Sequence, residues 1–371
     1  MKYCSVDFGR LKITTTTNHY IRSMKTSNKL YPLGVIFLLT LMICACGSIK
    51  EMASEPETPM KKEYALVIHG GAGWIYPGRY SPEEEKAFEL ALNNALDAGE
   101  TVLKNGGSAL DAVEATVRIM EDDSLFNAGK GSVFSHEETN TLDASIMDGR
   151  DLSAGAVGGV TKVKNPVTLA RAVKEKSVHV LLTGEGAEEF ALDQELELVD
   201  PEYFKTSSKW KAIQKIKSEE KGQGAYSLEN DYKYGTVGAV ALDKEGNIAA
   251  ATSTGGMTNK RWGRFGDVPI IGAGLYANNQ TCGVSCTGHG EYFIRYAVAH
   301  EVSAQMEHAG ATLQSAAQNV IQKKLVDAGG VGGLIAIDKN GQVVMEFNSK
   351  GMFRGYALPG ERKVAMYNLE K

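Results

Sequence analysis

The stretch Tyr234-Gly235-Thr236-Val237-Gly238-Ala239-Val240-Ala241-Leu242-Asp243 separates two compositions. Upstream, Lys209 to Lys233 is polar and dense in charge. Downstream, Thr236 to Asp243 has the small and β-branched pattern of a buried strand, closed by the turn Lys244-Glu245-Gly246-Asn247. A polar run therefore ends at the first residue of a strand, and that residue is a threonine. Taken alone, a β-branched residue there is an ordinary strand starter. A threonine whose own α-amine has been freed is different, because it carries nucleophile and base together: the hydroxyl attacks and the amine takes the proton. An α-amine titrates near ~7.7–8.0, which suits neutral pH better than a carboxylate or a lysine.

Working outward, the periodicity predicts strands over 236–243, 247–254, 270–276 and 283–287. Gly288-His289-Gly290-Glu291 turns into a helix over 292–306, followed by a second helix over 312–326. Strands at 334–338, 343–348 and 353–357 close the chain, the first two joined at Lys339-Asn340-Gly341. On the upstream side, a strand at 64–68 runs into the glycine-rich turn His69-Gly70-Gly71-Ala72-Gly73. Ser81-Pro82 with three glutamates starts a helix that stops at Asn105-Gly106-Gly107. Ser108 caps another helix running to about residue 121. A loop over 125–134 leads to strands at 142–148 and 154–160 joined by the hairpin signal Asp148-Gly149. A helix at 167–175, a strand at 178–183, a helix at 185–192 and a linker over 200–234 complete the first half. Hairpin-linked strands with helices in pairs predict an α+β fold of antiparallel sheets covered by helices, not alternating βαβ units.

The N-terminus reads as an export signal. Leu33 to Ala45 is apolar, follows Lys25 and Lys29, and is shorter than the ~20 residues of a membrane span. Ile43-Cys44-Ala45-Cys46-Gly47 resembles a bacterial lipobox with Cys46 as the lipidated residue. An uncleaved anchor and a plain secretory signal remain open at this point. Met24 begins the signal naturally, which makes 1–23 a candidate misassigned start, 24–45 the signal peptide and 46–62 a polar tether. The expected location is thus membrane-anchored through lipid, or periplasmic.

Residues 1–45 hold six Lys/Arg and one Asp, so the remainder carries −10 of the net −5. With no basic patch there, nucleic acid is not an expected partner. Cys282 and Cys286 lie four apart in a strand pattern, ~13 Å if extended, too far for a disulfide. No Cys/His set has zinc spacing, and the glycine-rich turn lacks the Lys-Ser/Thr or the spacing of a nucleotide site. Asp143 and Asp148 form a carboxylate pair in sequence, but strand and turn aspartates are common.

An ordered set of motifs carries a more specific resemblance. It comprises His69–Gly73, Phe126–Gly129, Leu142–Gly149 with Ala154–Val157, Gly235–Asp243, Ala249–Lys260, Gly263–Asp267, Gly274 with Tyr276–Asn278, Ser285–Glu291 and Gly330–Ala336. In this set the chain resembles the plant-type L-asparaginase/isoaspartyl peptidases of the N-terminal-nucleophile hydrolase group, from about residue 64 to 357. The resemblance implies a four-layer αββα sandwich and a precursor that cuts itself at Gly235–Thr236. One catalytic domain over 63–371 would divide into an α-subunit, 63–235, whose linker 200–235 ends at the cut, and a β-subunit, 236–371.

It further implies Thr236 as nucleophile, Thr254 as the threonine assisting cleavage, and Thr287 with Gly288 as the oxyanion hole. Arg264 would bind the substrate α-carboxylate and Asp267 its α-ammonium. Gly290 and Asn127 would be further substrate-contacting positions. No cofactor is expected beyond a structural sodium ion on backbone carbonyls of the 120–130 loop, where Ser124 stands in place of the proline common in relatives. The implied substrates are β-aspartyl dipeptides and L-asparagine, and the implied assembly is a dimer of αβ units. Glycosylasparaginase chemistry is the alternative within the same fold, and a surface-anchored binding lipoprotein that never matures is the alternative of another class. The Gly330–Ala336 segment and the Met257–Lys260 loop favour the peptidase.

Overall fold

The computed structural model describes residues 62–223 and 235–368. The start at 1–23, the signal 24–45, Cys46 and all but the last residue of the tether lie outside the described residues.

The larger sheet has the order β12-β11-β1-β5-β6-β2-β3-β4. These strands are β1 Ala65–Gly73, β2 Leu142–Asp148, β3 Ala154–Val160, β4 Leu181–Thr183, β5 Thr236–Leu242, β6 Ile248–Thr254, β11 Gly351–Leu358 and β12 Glu361–Tyr367. The smaller sheet, β10-β9-β8-β7, is built from β7 Leu275–Ala277, β8 Cys282–Gly288, β9 Gly332–Asp338 and β10 Val343–Phe347. Pairing is antiparallel throughout except for β3 with β4. The central sheets are flanked by helices, as the pattern of paired helices and hairpins predicts.

Three apolar cores alternate with these elements. Helices α1 (Pro82–Lys104), α2 (Ala109–Glu121) and α3 (Pro166–Lys176) bury Leu92, Leu96, Val113, Val117 and Leu169 against one face of the large sheet. Its other face packs on the small sheet through residues such as Val67, Val240, Leu275 and Ile335. The small sheet's second face packs through Val284 and Leu334 on Val302, Leu313 and Ile321 of the C-terminal helices. Strand β5 contributes Ala239 and Ala241 to one core and Val240 to the next, which is the alternation of a strand buried on both faces.

Several local expectations are corrected. The glycine-rich stretch His69–Gly73 is not a turn but the end of β1, paired with β11 and carrying a bulge between His69 and Gly71. Ladder bonds to β11 override the weak strand preference of glycine. Residues 270–274 form turns rather than a strand, with Ile270 accepting from both Ala273 and Gly274, so β7 begins only at Leu275. The helix expected over 292–306 is two, α6 (Gly290–Tyr296) and α7 (Val298–Ala309), broken at Ala297, whose φ is +45°. The helix expected over 312–326 is α8 (Leu313–Gln318) continued by a π-helical turn, Asn319–Leu325. Strand β12 went unseen because Glu361, Arg362 and Lys363 open it, the charged composition of an edge strand.

Helix α5, Ser207–Gln223, lies within the stretch expected as a linker. Helix α4, Gly184–Asp193, precedes it. Cys282 and Cys286 are both free and fully buried, as the strand spacing predicts. Burial raises both thiols, Cys282 to about 12, so neither is a reactive group.

Candidate active site

The β5–β6 hairpin sets the first contact of the site. Its register places Thr236 directly across from Thr254, so the two side chains meet on one face. Thr236 Oγ1 donates to Thr254 Oγ1 at 3.2 Å. Thr254 Oγ1 donates in turn toward the Gly235 carbonyl at 3.4 Å and accepts from Gly256 N at 3.0 Å. A hydroxyl relay therefore runs from the nucleophile candidate to the carbonyl oxygen of the residue before it. Both threonines are buried at the ends of their strands.

From behind, the carbonyl of Thr236 accepts from His69 Nδ1 at 2.9 Å, across 167 residues of sequence. A carbonyl only accepts, so the proton sits on Nδ1, leaving Nε2 to accept from Ser285 Oγ at 3.0 Å. Ser285 is itself bonded to Thr252 at 2.8 Å. Complete burial pushes the imidazole down to about 3, partly opposed by the Thr236 bond, so His69 stays neutral. It acts as a fixed strut for the first residue of β5.

Gly71 completes the backing. Its φ is +111°, and a Cβ there would lie 2.8 Å from Gly235 Cα, so only glycine lets β1 pass this close to the proposed cut. Read from sequence, His69 is an ordinary structural histidine and Gly71 a turn residue. The only signal for either was their place in the His69–Gly73 motif.

Gly235, Thr236, Thr254, Arg264, Asp267 and Gly288 line one small cavity of about 10 Å³, room for roughly one water. Arg264 and Asp267 both sit on the loop after β6. The Arg264 guanidinium is held by Glu291 in a forked pair, Nε to Oε1 at 2.8 Å and one terminal nitrogen to Oε2 at 2.9 Å. Glu291 is half-buried; desolvation opposes its charge, but the bonds from His289 and Arg264 prevail and hold it well below the usual carboxylate range. Burial disfavours the Arg264 charge, yet Glu291 raises it further above its ordinary value. Two of the five guanidinium donors are thus spent on Glu291, which fixes the plane of the rest.

Asp267 is almost fully buried, and its Oδ2 is among the buried side-chain atoms without a hydrogen-bond partner. Burial pushes it up to about 7, against its own backbone bond and the nearby Arg264. An orphaned acid in a closed pocket is arranged to receive a donor or a cation. Gly290 explains how close these groups come. A Cβ at that position would lie 3.0 Å from Arg264, from Asp267 N and from Asp267 Oδ1.

Two expected residues stand apart from this cavity. Thr287 precedes Gly288 on β8, but its hydroxyl accepts from Ala72 N at 3.3 Å on the side of β1. Asn127 donates to the Gly256 carbonyl at 2.8 Å and accepts from Val133 N at 2.9 Å, while its own carbonyl accepts from Gly255 N. It clamps the end of β6 to the upstream loop, and it lines a second, larger cavity that also borders Gly235. Asp143 and Asp148 do not form an acid pair. Asp143 accepts from Gly159 N with Lys260 nearby, and Asp148 is paired with Arg150 at 2.6 Å.

In the loop expected to hold an ion, carbonyls crowd two glycines. A Cβ at Gly129 would lie 2.3 Å from the Glu121 carbonyl, and one at Gly131 would lie 1.9 Å from that of Phe126 and 2.8 Å from that of Ser124. Backbone carbonyls thus pack closely against the glycines of this loop. No cluster of three His, Cys, Asp or Glu suited to a metal occurs among the described residues.

Comparison with known proteins agrees with this geometry. A family model described as asparaginase matches residues 62–366. An isoaspartyl peptidase of Escherichia coli is 48% identical over 299 residues, covering 80% of this chain and 93% of that protein. The isoaspartyl peptidase/L-asparaginase of Mus musculus is 42% identical over 311 residues, covering 84% and 92%. That of Homo sapiens is 42% identical over 287 residues, covering 77% and 91%. With the match running through both sheets and every element of the site, the chain belongs to the asparaginase family typified by these isoaspartyl peptidases.

Proposed function

We propose that this chain is an isoaspartyl peptidase with L-asparaginase activity, a threonine hydrolase that matures by cutting itself at Gly235–Thr236. The observation that carries the reading is the Thr236–Thr254–Gly235 relay beside Arg264 and Asp267. The architecture is read as the four-layer αββα sandwich of N-terminal-nucleophile hydrolases, with residues 63–235 and 236–371 as the two subunits of one domain.

In maturation, Thr236 Oγ1 attacks the Gly235 carbonyl carbon while Thr254 receives the hydroxyl proton and donates to the carbonyl oxygen as charge develops there. The C–N bond breaks as the proton taken from Thr236 Oγ1 passes through the Thr254 relay to the departing Thr236 nitrogen, the acyl group stays on Oγ1, and water hydrolyses that ester to leave a carboxylate at Gly235 and a free Thr236 amine. In turnover, the same oxygen attacks the β-carbonyl of the substrate with the α-amine as base. The amine returns the proton to the leaving nitrogen, and water then releases aspartate from the Thr236 ester.

Arg264, oriented by Glu291, takes the substrate α-carboxylate, and Asp267 takes its α-ammonium. One cation and one anion on one loop select a free amino acid end. Gly288 lies on the cavity wall as an oxyanion donor, and Thr287 is assigned to the same hole through a turn of its hydroxyl away from Ala72. Asn127 is assigned to the substrate side through its clamp on Gly256. The carbonyl cradle of the 120–130 loop would hold a sodium ion and stiffen the segment carrying Asn127, with no part in the chemistry. Export as a lipoprotein through Cys46, or release to the periplasm, and a dimer of αβ units complete the proposal.

Denaturing electrophoresis of purified protein tests maturation. Two fragments are expected, the smaller beginning at Thr236, and Thr236→Ala should give one intact chain without hydrolase activity. Aspartate release should be faster from β-aspartyl-leucine than from an N-glycosylated asparagine. The reverse order would mean a glycosylasparaginase, and an uncut wild-type chain would mean a binding protein.

A further inference from the structure

The larger cavity bordering Gly235 has a volume of about 540 Å³. Gly235 lines both. Its floor is aromatic: Phe88 stacks on Phe353 at 4.2 Å and meets Phe126 edge-on at 6.1 Å. Its rim carries Trp74 and Tyr76, which are 55% and 42% exposed, large apolar side chains that no core requires. The Arg79 guanidinium sits 5.9 Å from the ring centres of both Tyr76 and Tyr80, and Lys209 also lines the cavity. The lining also holds Glu84, whose carboxylate accepts from Ser81 N at 2.9 Å in the cap of α1; aromatic walls with Arg79 and Lys209 beside them suit a ligand that is apolar at one end and anionic at the other.

We propose that this cavity is the leaving-group subsite, which receives the amino acid released from a β-aspartyl dipeptide. The proposal rests on the hydrolase reading above and adds to it the residues that set leaving-group preference. Among the described residues, Gly235 is the one lining residue that the two cavities share, so cutting after it would open one onto the other beside Thr236. The acyl half of the substrate is anchored on the Arg264 and Asp267 side. The other half must then extend from the β-carbonyl toward the space that Gly235 occupied, and that space opens onto the aromatic floor. In a β-aspartyl dipeptide that half has a side chain and an α-carboxylate, matching the aromatic walls and the Arg79 and Lys209 cations. L-Asparagine releases ammonia, which reaches neither. The volume is that of a small-molecule site, far more than one leaving amino acid excludes, so the subsite would accept bulky residues.

The experiment compares kcat/KM for β-aspartyl-leucine and L-asparagine in the mature wild type, Tyr76→Ala and Trp74→Ala. Both positions are half-exposed, so neither change opens the core, and electrophoresis confirms that each variant has cut itself. The dipeptide-to-asparagine ratio should fall about tenfold in Tyr76→Ala and in the same direction in Trp74→Ala, with asparagine hydrolysis within about twofold of wild type. In the wild type, β-aspartyl-leucine amide, which lacks the carboxylate, should show a KM raised about tenfold over the free acid, and Arg79→Gln should abolish that difference. An unchanged ratio in both rim variants, or equal losses on both substrates, overturns the subsite while leaving the hydrolase reading intact. A mature wild type that hydrolyses neither substrate overturns the hydrolase reading itself.

Discussion

Replacing Asp267 by Asn in the uncut protein isolates the electrostatics of the substrate pocket. The background is Thr236→Ala, so that the cavity stays closed. Asp267 is buried beside Arg264, Glu291 and Asp143, the first favouring its charge and the other two opposing it. Burial dominates and raises it from the ordinary 3.8 to about 7. A raised folded value means that the folded state keeps a proton the unfolded state has lost. The stabilisation is therefore full below the unfolded value, declines as pH rises, and is gone once pH passes about 7. At about 1.4 kcal/mol per unit, a rise of this size corresponds to at most ~4 kcal/mol between the two limits, reduced by whatever water the pocket admits.

Asparagine has nearly the same shape and never ionises. Asp267→Asn should then be stabilising by only about 1 kcal/mol near about pH 4.5 and by roughly 2–4 kcal/mol at about pH 8. Urea unfolding of the two proteins across that range measures it. Taking the difference removes Glu121, whose raised value also tilts the absolute curve, and leaves only the smaller coupling of Asp143 to Asp267. A difference that does not change with pH, or an Asn variant less stable at the alkaline end, refutes the argument.

Two further substitutions probe the same site. Thr254→Ala removes the hydroxyl between nucleophile and carbonyl and should slow self-cleavage about 10²–10³-fold, with Thr254→Ser recovering most of it. Gel densitometry over time reads this, and an Ala variant that cuts at the parent rate removes Thr254 from the relay. Glu291→Gln weakens the fork that orients Arg264 and should raise KM for L-asparagine about tenfold while leaving kcat nearly unchanged. A fall in kcat at constant KM would mean that Glu291 acts on the chemistry and not on binding.

The reactive hairpin was legible because its logic is local. The strands of Thr236 and Thr254 were read from their period, while Thr254 itself was named through the resemblance; the hairpin register then places the two residues opposite each other. Arg264 and Asp267 were named through the family resemblance alone, since two opposite charges three apart on a loop are ordinary solvated residues. Glu291 was hidden by a sufficient local explanation, since an acid in the first turn of a helix needs no other purpose. His69 was hidden by distance: its partners are 167 and 216 residues away, and no periodicity reaches that far. Asn127 is a case of another kind. Its motif marked the position, but only the fold shows the side chain spent on the backbone at Val133 and Gly256.

The sheet order also changes what cutting at Gly235 can do. From the sequence, nearly all reactive side chains follow the cut, which suggests a self-sufficient downstream fragment. In the large sheet, however, β5 pairs on one side with β1 from upstream, and β6 pairs with β2 from upstream. Strand β1 is itself enclosed between β5 and β11, both from downstream. The fragments are interleaved within one hydrogen-bonded sheet, and separating them would break three ladders and expose the cores on both faces. His69 and Gly71, which brace the nucleophile, belong to the upstream piece, so the site needs both pieces. In the proposed maturation, cutting would therefore free the chain end at Gly235 without releasing the fragment that begins at Thr236. The rigid sheet holds the new N-terminus where the hydroxyl relay was built, which is the preorganisation that a nucleophile with its own base requires.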